Sequence, residues 1–112
     1  MILRNTFAHH VLFWLSDKAD SQKFVEGLHT LTSITSIKDI NIGIPADTDG
    51  GPVDDSYDAS LLIFFNNRAD HDAYDADPIH QSFIAQYAKL CSKVVIYDSV
   101  CLLYTSPSPR DS

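Results

Sequence analysis

Cysteine, positive charge and long apolar runs are all scarce in this chain, and each shortage removes a class of function. The two cysteines are Cys91 and Cys101. Cys101 opens a tail, CLLYTSPSPRDS, whose Cys101–Asp111 part back-translates to a transposase adapter of sequencing libraries read in frame. Residues 101–112 are therefore set apart from fold reasoning, as a fusion scar would be. Cys91 then stands alone with no intrachain disulfide partner, which fits a reducing compartment and makes the cytoplasm the expected location. Eight Lys and Arg against fifteen Asp and Glu leave a net charge of -7. That balance argues against phosphate backbones and anionic membranes, both of which need a basic face. No apolar run approaches the roughly 20 residues that span a bilayer. The start, MILRNTFAHH, has one basic residue and no long apolar core, so it does not read as a signal peptide.

What is present is apolar matter for one packed core. Hydrophobic residues make up 45% of the chain and aromatic residues 11%, enough for a single domain over residues 1–100. A domain this small buries a modest fraction of its surface, so self-association is a natural source of further burial.

FAHHVLFWL, Phe7 to Leu15, reads as a first strand, and Ser16 or Asp17 after it can cap a helix. From about Ala19 to Leu31, Phe24, Leu28 and Leu31 recur at helical spacing. SIKDINIGI alternates as a second strand and stops at Pro45. The acidic stretch PADTDGGPVDDSYD reads as a mobile loop, not a calcium loop, because Pro52 replaces the turn glycine and Asp58 the terminal glutamate. ASLLIFF is the third strand, a helical pattern runs through Ile79, Phe83, Tyr87 and Leu90, and KVVIYDSV is the fourth strand. The order β-α-β-β-α-β predicts an α+β, ferredoxin-like fold with both helices on one sheet face. Strands one and three are apolar at nearly every position, including Phe13, Trp14, Phe64 and Phe65. Burial on both faces follows, and a second copy of the sheet would cover the open one.

HHVLFWL, SYDASLL, HDAY followed by DPIH, and KVVIYDSV occur in an order that resembles the stress-responsive dimeric alpha/beta barrel (Dabb) family, over about Phe7 to Val100. The resemblance implies a homodimer with two sheets face to face and an internal apolar cleft in each protomer that takes a hydrophobic small molecule. It does not imply one chemistry. A chemically characterised relative, olivetolic acid cyclase, uses a tyrosine and a histidine with five residues between them, and YDADPIH places Tyr74 and His80 on that pattern. The cyclase's strand-one histidine falls on His10, and Leu12, Trp14, Leu61 and Phe83 are the expected apolar lining. Ala59, Asp77 and Cys91 stand where related chains have a cleft histidine, a histidine and a tryptophan, so the lining differs.

HDAYDADPIHQ has a structural explanation as well. Asp77 is a preferred N-cap and Pro78 suits the first position of a new helix, so one helix should end near Asp75 or Ala76 and another begin. The corner frees Tyr74 and His80 from the wide separation that six residues on an unbroken helix would impose at about 100° per residue. His80, in the first turn of the second helix, would act as general base, with Tyr74 hydrogen-bonding a developing oxyanion. Such a lyase or cyclase step needs no cofactor. His9 and His10 point to opposite faces of a strand, and no ligand spacing predicts a metal. His71 and Asp72 are expected on the exposed face of the first short helix, and His29 on the surface. Three functions are consistent with these residues: a ligand-binding stress protein without turnover, a cofactor-independent lyase or cyclase, and a monooxygenase-like or haem-handling barrel.

Overall fold

The computed structural model describes residues 3–102, so the tail beyond Leu102 lies outside the described residues. Strands β1 (Phe7–Leu15), β2 (Asp39–Gly43), β3 (Ala59–Phe65) and β4 (Cys91–Val100) form one sheet in the order β2-β3-β1-β4. Each neighbouring pair is antiparallel. Helices α1 (Ser21–His29), α2 (Arg68–Ala76) and α3 (Pro78–Tyr87) complete the ferredoxin-like α+β fold.

The first helical segment is shorter than its apolar spacing suggests. Turns of 3-10 helix at Lys18–Asp20 and Thr30–Ser33 flank α1. Asp17 caps the entry, its Oδ1 accepting from Ala19 N–H at 3.0 Å. Gly27 is required by a close approach. A Cβ there would stand 2.6 Å from the Tyr87 ring, which packs against Phe24 and Phe83.

Alternation along β1 and β3 sets the layers. Phe7, His9, Val11, Phe13 and Leu15, with Ala59, Leu61, Ile63 and Phe65, are buried beneath the helices. They pack on Phe24, Leu28, Leu31, Tyr74 and Phe83 to form the core. Ala8, His10, Leu12 and Trp14, with Ser60, Leu62 and Phe64, point to the opposite face and are only half-buried. On that face Tyr97, opposite His10, is 61% exposed. In the single chain the sheet is thus apolar on both sides. The helices cover β1 and β3 on one of them, while Val94 and Ile96 of β4, opposite Phe13 and Val11 on that side, stay exposed.

The acidic loop is tied down at its end, a correction to its reading as mobile throughout. Asp58 accepts from Leu15 N–H at 2.7 Å and from Lys18 Nζ at 2.7 and 2.8 Å, and its own N–H donates to Phe13 O. Desolvation pushes the Asp58 carboxyl up, but the Leu15 N–H and Lys18 bonds outweigh it and hold the pKa below the ordinary carboxylate value. A carboxyl with a depressed folded pKa contributes stability above its unfolded pKa and loses it as pH falls through the folded value. Asp58→Asn is expected to cost about 1–3 kcal/mol at pH 7, mostly because the acceptor of the Leu15 bond loses its charge, and to flatten the loss of stability below about pH 4. Urea melts at pH 7 and pH 3 check both parts. Lys18 is 69% exposed and adds little.

Candidate ligand site at the helix corner

Asn67 starts α2, its Oδ1 accepting from Asp70 N–H at 2.9 Å. His71 and Tyr74, three residues apart, share the inner face of α2 and are its buried residues. The helix ends where Asp77 turns extended, with φ -64 and ψ 135. Asp77 Oδ1 accepts from Ile79 N–H at 2.8 Å, and Pro78 occupies the first position of α3. The corner is therefore built as capping chemistry requires.

A helix that stops leaves carbonyls without partners. The Asp75 carbonyl is satisfied by two side chains from the next turn, His80 Nδ1 at 3.0 Å and Gln81 Nε2 at 2.7 Å. A carbonyl only accepts, so His80 Nδ1 carries its proton, and a neutral His80 keeps a lone pair at Nε2. The His80 and Tyr74 rings lie 4.5 Å apart between centroids. Tyr74 is 1% exposed. Burial, reinforced by the charge of Asp75, pushes its phenol far above the ordinary value. Tyr74 thus stays protonated at neutral pH and serves as a donor.

Opposite the corner, β1 contributes His9 from the core face. Its ring stands 5.8 Å from Tyr74 and 5.0 Å from His71, and its Nδ1 donates to Asp98 Oδ1 of β4 at 2.6 Å. Asp98 is in place because β4 pairs with β1 in a register that sets it across from His9. Phe7 and Phe65 close the aromatic box around His71, at 4.6 and 5.5 Å.

The residues singled out from sequence divide between the two faces of the sheet. Tyr74, Leu61 and Phe83 are buried on the helix side, with His80 half-buried at its edge. His10, Leu12 and Trp14 lie on the open side, where Trp14 Nε1 donates to Ser56 Oγ at 3.1 Å and Lys93 Nζ stands 4.6 Å from the Trp14 ring. His9, not His10, shares the box with Tyr74. His71 is buried, against the expectation of an exposed position, because α2 has few apolar residues and turns this imidazole inward with Tyr74. Asp72 and His29 are exposed as expected. The Asp98 partnership had no local sequence signal, since it spans 89 residues.

Phe83 also reaches a surface recess of about 270 Å³ between α3 and the turn after α1, lined by Thr30, Pro78, Ile79, Ser82, Phe83, Gln86 and Tyr87. Neither Tyr74 nor His80 lines the recess, so it lies beside the corner pair and does not open onto it.

Comparison with known proteins agrees with this architecture. A hydroxynitrile lyase from Passiflora edulis shares the fold with a TM-score of 0.70 at 18% identity, over 89% of this chain and 96% of that one. A Dabb family protein with a ferredoxin-like fold from Mesorhizobium loti gives 0.70 at 20% identity, over 87% and 97%. A dimeric ferredoxin-like protein of unknown function from Thermobifida fusca gives 0.70 at 19%, over 90% and 95%. No curated protein sequence matches the chain. The family model for the stress responsive A/B barrel domain matches residues 7–101, across every strand and helix described above, and the chain belongs to that family.

Proposed function

We propose that this chain is a cytoplasmic, homodimeric small-molecule-binding barrel whose ligand site lies at the α2–α3 corner, with Tyr74 and His80 able to move a proton there. The observation that carries the reading is the fixed hydrogen bond from His80 Nδ1–H to Asp75 O, with the ring 4.5 Å from a buried, protonated Tyr74. A bonded Nδ1 aims a free Nε2 as general base. His80 would take a proton from the carbon beside a ligand carbonyl. The electrons of the C–H bond would form a carbon–carbon double bond as the carbonyl π pair moves onto oxygen, and Tyr74 O–H would donate to the oxyanion that forms. The hydroxynitrile lyase neighbour supports the reading only as evidence that the fold accommodates lyase chemistry.

Dimerisation rests on the open sheet face, where Leu12, Leu62, Phe64 and Val95 are half-buried and Tyr97 exposed in the single chain, and on the neighbour described as dimeric. Apolar surface of that extent is stabilised by a second copy.

The test is a thermal-shift screen of aliphatic and aromatic ketones on wild type and the Tyr74→Phe/His80→Gln double variant, beside sedimentation equilibrium. Compounds that raise the Tm of wild type alone, on a dimer, are the expected result. Equal shifts in both proteins would move the site elsewhere, and a monomer would remove the two-sheet barrel.

A further inference from the structure

We propose that His9, His71 and Asp98 form a binding site for a borderline divalent cation of the zinc class. These residues come from β1, α2 and β4, yet one potential ligand atom from each lies within 4.8 Å of the other two. His9 and His71 are 6% and 9% exposed, and their rings are tilted by 58°, not stacked, at 5.0 Å. Two imidazole nitrogens and one carboxylate oxygen are the donor set that suits zinc and the later first-row divalent ions.

Three surroundings favour an ion over a purely hydrogen-bonded core. Both nitrogens of His71 have a carboxylate nearby, Asp72 Oδ1 at 3.0 Å from Nδ1 and Asp75 Oδ2 at 3.7 Å from Nε2. Whichever nitrogen binds the ion, the other has an acceptor for its proton, the outer partnership that metal-bound imidazoles usually show. Asp72, Asp75 and Asp98 also supply negative charge, while Arg68, at 3.9 Å from Asp72, pairs with only one of them. Finally, the Asp98 side chain is 40% exposed, giving an ion a way in from solvent.

Binding would replace the proton now shared by His9 and Asp98. The donor atoms would need to settle about 3.4 Å apart around a tetrahedral ion at about 2.1 Å, so a pair at the 4.8 Å limit would close by about 1.4 Å. Three protein ligands leave a fourth position open beside Tyr74 for water or a ligand oxygen. The proton step assigned to Tyr74 and His80 needs no ion, so either reading can fail without the other.

The experiment is calorimetric titration of the untagged full chain with Zn²⁺, paired with visible absorption after adding Co²⁺. One ion per chain is expected, with affinity falling about tenfold or more in His71→Phe and in Asp98→Asn and unchanged in the surface control His29→Gln. His71→Phe keeps an aromatic ring in the box and Asp98→Asn lies on an exposed strand, so circular dichroism can confirm that at least one variant folds, and a folded variant decides. Wild type without heat or a Co²⁺ band, or affinity unchanged in a folded ligand variant, would overturn the site.

Discussion

Phe65→Ala is expected to destabilise the chain by about 3–5 kcal/mol, whereas Phe64→Ala, one residue away, leaves the fold of the single chain largely intact. Phe65 is 0% exposed and packs against Phe7, Tyr74, His71 and His9 at ring separations of 5.3 to 6.4 Å. Removing it opens a cavity under both the helix corner and the histidine pair, against a total stability of about 5–15 kcal/mol for a typical domain. Phe64 faces the open side, opposite Ala8 and Asp39. Its truncation is expected to act on association, weakening the dimer by about tenfold or more, as the loss of one buried aromatic from each copy implies. Urea melts and sedimentation equilibrium separate the two effects. A Phe64→Ala loss in melting that does not depend on protein concentration would count against the open face as the dimer surface.

His80→Gln is expected to lower proton exchange at the α-carbon of a bound ketone by about 100-fold or more while changing thermal stability little. Glutamine can still donate to the Asp75 carbonyl, and Gln81 already does at 2.7 Å, so the end of α2 remains satisfied. What the substitution removes is the basic nitrogen. Tyr74→Phe keeps the buried ring and deletes only the donor to the oxyanion, and a loss of about 100-fold is expected there as well. Exchange of ligand protons in D₂O followed by NMR reads both variants. Unaltered exchange in either variant would remove that residue from the proton-transfer step, and loss of ligand affinity in parallel with exchange would show that the pair positions the ligand instead.

Much of this molecule was legible in its sequence because the features concerned are local. Asp77 before Pro78 determines a cap and a corner within a few residues, and the structure has Asp77 Oδ1 on Ile79 N–H. The runs FAHHVLFWL and ASLLIFF became β1 and β3 with the expected bounds, since no helical spacing competes there. The family followed from the order of these segments, and residues 7–101 match it.

The site depended on relations that no local pattern holds. A strand of period two has two possible parities, and in FAHHVLFWL both sets are apolar with one histidine each. Only packing under α1, α2 and α3 turned Phe7, His9 and Val11 inward and left His10, Leu12 and Trp14 outside. The same holds for α2, where His71 and Tyr74 became the inner face once the helix lay against Phe7 and Phe65. Asp98 met His9 through the β1–β4 register, a choice made across the sheet between residues far apart in the chain. The sequence alone determined which elements form and, at the Asp77–Pro78 corner and along β1 and β3, where they stop, because caps, prolines and apolar periods act over a few residues. Tertiary structure decided which histidine enters the box, because burial on one face is a property of the assembled layers.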